Sequence, residues 1–112
     1  MSTNHSTDGI YKAADLLTLE MRAMTLEQVL MLLVYKIAQH SDDIEAVFAS
    51  MPRRKLLDFD VHPTDRGPIL GREGYTIQAL RTIAKAILGP NCKEYRYSIE
   101  MTSDSISQHS IG

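Results

Sequence analysis

The segment that decides the fold reads Val61-His62-Pro63-Thr64-Asp65-Arg66-Gly67-Pro68-Ile69-Leu70-Gly71-Arg72-Glu73-Gly74-Tyr75-Thr76-Ile77-Gln78-Ala79-Leu80-Arg81. An alternating apolar pattern enters it, a loop rich in proline and glycine crosses it, and a helical pattern leaves it. Gly71 and Gly74 stand at its centre, and glycine permits the backbone angles that a tight turn needs. Because the N–H groups and the dipole at a helix start attract anions, the pattern predicts a phosphate as partner of this turn.

Composition limits the classes of protein that this chain can be. Its 112 residues, 44% hydrophobic and 23% charged, suit one soluble domain with a modest core. The longest apolar run, Val29 to Tyr35, is too short to span a bilayer, and no signal-peptide pattern precedes it. The single cysteine excludes an internal disulfide and a cysteine-cluster metal site. We therefore expect a cytoplasmic protein without membrane association, cofactor or metal.

The charge distribution is uneven along the chain. The net charge of −2 does not by itself indicate nucleic-acid binding. Between Met51 and Arg96, however, nine basic and five acidic residues give a local charge of +4, which leaves −6 for the rest. This asymmetry permits a basic face on an acidic protein, and an evenly mixed surface is the alternative.

The first half of the sequence predicts two helices. Apolar spacing predicts a helix over residues 9–22. A second helix, Leu26 to His40, begins at a capping box formed by Thr25 and Gln28. The second helix is apolar on nearly all sides, so its outer side should be covered by the first helix or by another chain. The residues that need this cover are Met31, Leu32 and Tyr35.

The rest of the chain predicts a small sheet and two further helices. Strands over residues 44–50 and Leu57 to Val61 form an antiparallel hairpin, with Asp58 and Asp60 on a wet face. Pro68 suits the first position of a very short helix, and Gly89-Pro90-Asn91 ends a longer one. A last strand, from Tyr95 to Met101, is expected beside and parallel to the Leu57–Val61 strand. Residues 1–8 and 102–112 are predicted to be disordered.

Catalytic arrangements are not apparent. The glycine turn lacks the Gly-Lys-Ser/Thr ending of a P-loop and the third glycine of a dinucleotide fingerprint. The four histidines are scattered along the chain, and no nucleophile is paired with a base. We therefore expect a protein that is not an enzyme.

The order of elements and the central motif resemble a known family. Helix, two strands, short helix, Gly-x-x-Gly, helix, strand is the order of a prokaryotic, type II KH domain. The string from Val61 to Arg81 is similar to the central motif of the small single-KH RNA-binding proteins of bacteria. The resemblance covers roughly residues 26–101, and it implies an α+β type II KH fold. That fold has a three-stranded mixed sheet with helices on one face, here with an extra N-terminal helix. The expected division is an extension over 1–24, a KH domain over 25–101 and a tail over 102–112.

The same resemblance implies a function and a set of site residues. In such domains the Gly-x-x-Gly loop packs against the backbone of single-stranded RNA, while about four nucleotides lie in an adjoining groove. It implies low sequence specificity, a chaperone-like or post-transcriptional regulatory role, and no cofactor or metal. Ile69, Leu70 and Ile77 map to the groove floor, with Tyr95 on the opposite wall. The full set of RNA-binding residues expected from this interpretation is Arg66, Ile69, Leu70, Gly71, Arg72, Glu73, Gly74, Tyr75, Ile77 and Arg81.

The sequence leaves several alternatives open. Glu73 puts a carboxylate beside the phosphate contact, which favours weak or partner-assisted binding, and Tyr75 either stacks on a base or covers the helix start. The rival function is a KH-fold protein–protein interaction module with weak or no nucleic-acid binding, acting through the Leu26–His40 helix. The resemblance implies pairing as a homodimer or with another KH-containing protein, so the two functions are compatible. Each apolar groove residue also has an interpretation as plain core.

Overall fold

The computed structural model describes residues 9–101, apart from the side chains of Asn91 and Cys92. The helices are α1 (Ala13–Leu16), α2 (Leu19–Arg22), α3 (Leu26–Ile37), α4 (Arg66–Leu70) and α5 (Tyr75–Leu88). The strands are β1 (Glu45–Met51), β2 (Arg54–Asp60) and β3 (Arg96–Glu100). Short 3-10 turns lie at Ser41–Asp43, Pro63–Asp65, Arg72–Gly74 and Gly89–Lys93. The two terminal segments predicted to be disordered lie outside the described residues.

The sheet has the predicted topology. Its strand order is β1-β2-β3, with β2 in the centre. β1 and β2 form an antiparallel hairpin, and β3 lies parallel to β2, with Leu57 opposite Ile99. A parallel pair needs a crossover connection, which α4 and α5 provide here. The mixed α+β architecture expected of a type II KH fold is therefore confirmed.

The core lies between the sheet and the helices. Helix α3 contributes Leu30 and Val34, which are both fully buried. Phe59 on β2 and Ile99 on β3 are each only 1% exposed. The remaining core side chains come from α4, α5, the middle of β2 and the residues that directly follow β2 and β3. They are Leu57, Val61, Ile69, Ile77, Leu80, Ala84 and Met101. This single apolar cluster fixes the positions of α4 and α5, the helices that flank the glycine turn.

The prediction of one continuous N-terminal helix over residues 9–22 is wrong. The chain forms two four-residue helices instead, because Leu17 is extended at φ −114° and ψ 126°. The Thr18 side chain accepts a hydrogen bond from the Met21 amide and so caps a new helix, which is what threonine favours at this position. Neither short helix contains a buried residue.

Three further local expectations need correction. Asp58, expected on a wet face, is only 7% exposed, because the strands on both sides of β2 flank it. Helix α3 begins at the predicted Thr25–Gln28 capping box but ends at Ile37, three residues before His40. Pro68 lies at the third position of α4 rather than the first. These differences leave the topology unchanged.

A buried carboxylate fixes the end of α3 to the start of α4. Asp65 is 1% exposed, and its two oxygens accept hydrogen bonds from the amides of Gln39 and His40, at 2.9 and 2.8 Å. The Gln39 amide is the main reason that the pKa of Asp65 is lowered, and this effect outweighs the opposing effect of burial. The His40 ring also stacks on His62, with ring centroids 3.9 Å apart. The glycine turn therefore follows a well-anchored helix.

Candidate nucleic-acid interface

The turn between α4 and α5 has an unusual backbone. Gly71, Glu73 and Gly74 have φ angles of 80°, 55° and 78°. Glu73 is the only non-glycine residue with a positive φ in the described part of the chain. The Gly71 amide donates to the Gly67 carbonyl at 2.8 Å, and the Gly74 amide donates to the Gly71 carbonyl at 3.0 Å. The turn is thus a compact, hydrogen-bonded structure.

The two glycines serve different purposes. A Cβ at Gly71 would overlap the Thr76 side chain and lie 2.6 Å from the Thr76 amide nitrogen. A Cβ at Gly74 would meet no atom within 4 Å, so only its positive φ favours glycine there. Gly71 therefore lets the loop pack directly against the start of α5. Sequence reasoning placed the emphasis on Gly74 because the close approach to Thr76 is a tertiary feature.

The start of α5 can accept an anion. This helix has 14 residues, and no side chain caps its N-terminus. A helix start carries unpaired amides and a partial positive charge, both of which favour a phosphate. The exposed side chains around it are Arg72, Glu73 and Tyr75, the last of which is 67% exposed. The start of α5 thus offers the amides of its first turn beside one cation, one carboxylate and one aromatic ring.

One flank of α5 leads from this loop to the edge of the sheet. Gly74, Gln78, Arg81 and Lys85 follow one another at helical spacing and share a side of the helix. The Arg81 guanidinium donates to the Ile99 carbonyl through Nε at 3.0 Å and Nη2 at 2.7 Å. Arg81 thereby holds α5 against the open edge of β3, and the flank continues into a groove between the two.

This groove is open, basic and about 700 Å³ in volume. Five cationic side chains and two carboxylates line it. The Tyr95 ring also faces the groove and holds the Lys55 ammonium 4.4 Å from its centroid. The charged lining residues are Arg53, Arg81, Lys85, Lys93, Arg96, Glu94 and Glu100. The cationic side chains of such a groove can bind the anionic groups of an extended ligand, and the Tyr95 ring can stack on a planar group.

Known proteins with similar sequences have the same kind of domain. The model of the KhpA/KhpB KH-domain family matches residues 27–100. The chain belongs to this KhpA/KhpB family. The RNA-binding protein KhpA of Streptomyces coelicolor is 41% identical over 64 residues, which cover 57% of this chain and 81% of that protein. The RNA-binding protein KhpA of Bacillus subtilis is 28% identical over 74 residues, 66% of this chain and 91% of that protein. No solved structure matches.

Within this KhpA/KhpB-family domain, the predicted site residues separate into three groups: the loop, the apolar residues beside it and two arginines. Gly71, Arg72, Glu73, Gly74 and Tyr75 lie together at the start of α5. The predicted groove-floor residues lie deeper, because α4 and α5 pack them onto the sheet. Ile69 and Ile77 are 1% and 5% exposed and belong to the core, and Leu70 is half-buried against it. The core interpretation therefore holds for Ile69 and Ile77, and neither offers a surface to a ligand.

The remaining predicted residues are half-buried cations. Arg66 donates from Nη1 to the Met101 carbonyl at 3.4 Å, and Arg81 contacts β3 as described above. Sequence reasoning did not name Arg53, Lys85, Lys93 and Arg96 as site residues. The only sequence signal for these four residues was the excess of basic residues between Met51 and Arg96. The fold brings the four together in one groove.

Among the side chains that the structure describes between residues 9 and 101, no group of three or more potential metal ligands comes together. No helix in the same range is long and apolar enough to cross a membrane.

Proposed function

We propose that this chain binds single-stranded RNA through the Gly71–Gly74 loop and the adjoining groove. The observation that carries the proposal is the direct connection between two features. The uncapped start of α5 and the basic groove lie on one flank of the same helix, with Arg81 between them. The curated relatives named RNA-binding protein KhpA add support.

Each feature has a separate role in this proposal. A phosphate of the RNA backbone binds at the loop, where amides and the Arg72 cation surround it. The next nucleotides lie along β3, where the field of Lys85, Lys93 and Arg96 holds their phosphates and Tyr95 offers an aromatic surface. Because most of these contacts are to phosphate, they position the strand without reading its sequence. We therefore expect RNA binding with low sequence specificity.

The charge of the loop sets the expected strength of binding. Glu73 is exposed and held in a left-handed conformation beside the phosphate position. Its carboxylate repels the RNA backbone, so one domain binds weakly and a second binding unit would strengthen the complex. Weak, unspecific contact suits a chaperone-like or post-transcriptional regulatory role in the cytoplasm. In this proposal the domain is a binding module and not an enzyme.

Amide NMR titration tests the proposal residue by residue. A labelled sample receives an unstructured RNA of about eight nucleotides, then the duplex form of the same RNA as a control. We expect shifts in residues 71–78, at Arg81 and Lys85, and along β3, with smaller shifts for the duplex. Shifts confined to α3 and β1, or an equal response to the duplex, would contradict the proposal.

A second candidate function is protein interaction, and a separate surface favours it. An open groove of about 600 Å³ lies between α3 and β1, with Leu32, Tyr35 and Phe48 exposed along it. Exposed apolar patches of this kind are typical of interaction sites. The candidate partners are a second copy of this chain or another KH-containing protein. Sizing chromatography with light scattering, with and without RNA, shows whether the protein self-associates and whether RNA is retained.

A further inference from the structure

The N-terminal arm, residues 9–22, presents apolar side chains to solvent. Ile10, Leu16 and Leu19 are 99%, 62% and 73% exposed. The arm is nevertheless a formed unit, because the Arg22 guanidinium donates to the Leu17 carbonyl at 3.1 Å and the Ala14 carbonyl at 3.4 Å. Helices of four residues have little stability of their own in water. The arm therefore needs a surface to pack against.

The same chain carries an apolar surface that also lacks cover. We call it the α3–β1 groove. Leu32, Tyr35 and Phe48 on its walls are 43%, 45% and 46% exposed. Neither α1 nor α2 buries any of its residues, so the arm does not fill the groove of its own chain. The lining residues are Met24, Glu27, Gln28, Met31, Leu32, Tyr35, Ala46, Phe48 and Leu57.

The connection between arm and groove is hydrogen-bonded throughout. The Ala23 amide donates to the Leu19 carbonyl at 3.1 Å, and the Met24 amide donates to the Met21 carbonyl at 3.3 Å. Thr25 then forms the capping box that starts α3. The segment contains no glycine or proline to act as a hinge. The connection is therefore ordered, and folding the arm back onto its own groove would break these bonds.

We propose that the arm of one chain packs into the α3–β1 groove of a second copy, and that the exchange is reciprocal. A two-fold arrangement lets each chain both give an arm and receive one. The 14 arm residues and the nine groove residues together fall within the roughly 20–30 residues per side of a stable interface. The family match begins at residue 27, so the arm is an addition to the shared domain. This inference rests on the second candidate function and is independent of RNA binding.

Charge substitutions at exposed positions test the inference by sedimentation velocity of the full chain. Leu19→Asp alters the arm, Leu32→Asp alters the groove, and Ile87→Asp, at a 54% exposed position on α5, is the matched control. We expect a wild-type dimer. We expect Leu19→Asp and Leu32→Asp to weaken self-association at least about tenfold, and Ile87→Asp to leave it unchanged. Circular dichroism confirms that each variant folds.

A dimer lost on Leu32→Asp but kept on Leu19→Asp would overturn the role of the arm and leave the groove as an interaction site. A monomeric wild type would overturn the inference as a whole. Disulfide trapping, in a Cys92→Ser background, separates exchange from closure within one chain. Mixing Leu19→Cys and Leu32→Cys chains should give a disulfide between copies. A chain that carries both cysteines tests the alternative of closure within one chain. If the disulfide forms only within such single chains and not in the mixture, the exchange is contradicted.

Discussion

Gly71 packs against Thr76 so closely that no Cβ fits between the loop and the first turn of α5. The contact therefore holds the end of α4 against the start of α5. Gly71 also has φ 80° and ψ 167°, a combination that is almost confined to glycine. The shape of the proposed phosphate site therefore depends on this residue more than on Gly74.

Alanine substitutions should separate the two glycines. Gly71→Ala combines backbone strain with overlap at Thr76, and we expect it to lower the free energy of unfolding by about 3 kcal/mol. Gly74→Ala brings only the left-handed strain, and we expect a loss of about 1 kcal/mol. Urea denaturation of both variants measures the difference. Equal losses would show that the close contact does not matter.

Glu73 should be a site where stability can be gained. Its φ of 55° is unfavourable for glutamate, whereas asparagine adopts this region more readily. We expect Glu73→Asn to raise the free energy of unfolding by about 0.5–1 kcal/mol. Glu94→Asn removes the same charge at an exposed residue without a positive φ, and should have little effect. Thermal melts of both variants test this, and an equal gain in both would point to charge rather than backbone strain.

Asp65 should make the fold sensitive to acid. Its pKa in the fold is lowered from the ordinary 3.8, mainly by the Gln39 amide. The unfolded chain therefore binds a proton first, so the stability from Asp65 is complete well above pH 3.8. It begins to fall near that value and is lost as pH drops through the lower pKa of the folded state. Asp65→Asn cannot accept both amide hydrogen bonds and should destabilise the protein at neutral pH.

Urea midpoints between pH 3 and 7 measure this effect. The difference between wild type and Asp65→Asn should shrink toward the acid end of the range, while a substitution at the exposed Asp42 should produce no such pattern. A difference that stays constant with pH would contradict the role given to the carboxylate.

Tyr97 should contribute a hydrogen bond between sheet and helix. Its hydroxyl donates to the Glu27 Oε2 at 2.6 Å, and burial together with this carboxylate raises the pKa of Tyr97. Tyr97→Phe leaves a half-buried carboxylate without this donor, and we expect a loss of about 1–2 kcal/mol. Tyr75→Phe, at an exposed ring, is the control and should be neutral. Chemical denaturation of the two variants makes the comparison, and equal losses would argue against a specific role for Glu27.

Features governed by local rules or by topology could be predicted from the sequence. The capping box of Thr25 and Gln28 is a local signal, and the structure contains it. The parallel β2–β3 pair followed from the crossover that must join those strands. The break at Thr18 was missed because a local cap prevails over weak apolar spacing when no packing supports the longer helix.

Features that depend on tertiary contacts could not be predicted. The burial of Asp58 requires knowing that strands flank it on both sides. Ile69 and Ile77 lie beside the proposed site in sequence, yet their side chains fill the core, and an apolar pattern cannot distinguish a groove floor from the layer beneath it. Arg53 and Lys93 line the basic groove from two separate turns, so only the folded chain brings them together.

The most direct test of RNA binding at the Gly71–Gly74 loop is titration of labelled single-stranded RNA with loop charge variants at two salt concentrations. We expect Arg72→Asp to weaken binding. Glu73→Lys should strengthen it and steepen the salt dependence by about 0.7 in log–log slope, as one added phosphate contact requires. Lys36→Asp, at an exposed position on α3, controls for net charge and should bind as the wild type does. If both loop variants also bind RNA with wild-type affinity and salt dependence, the loop is not the RNA site.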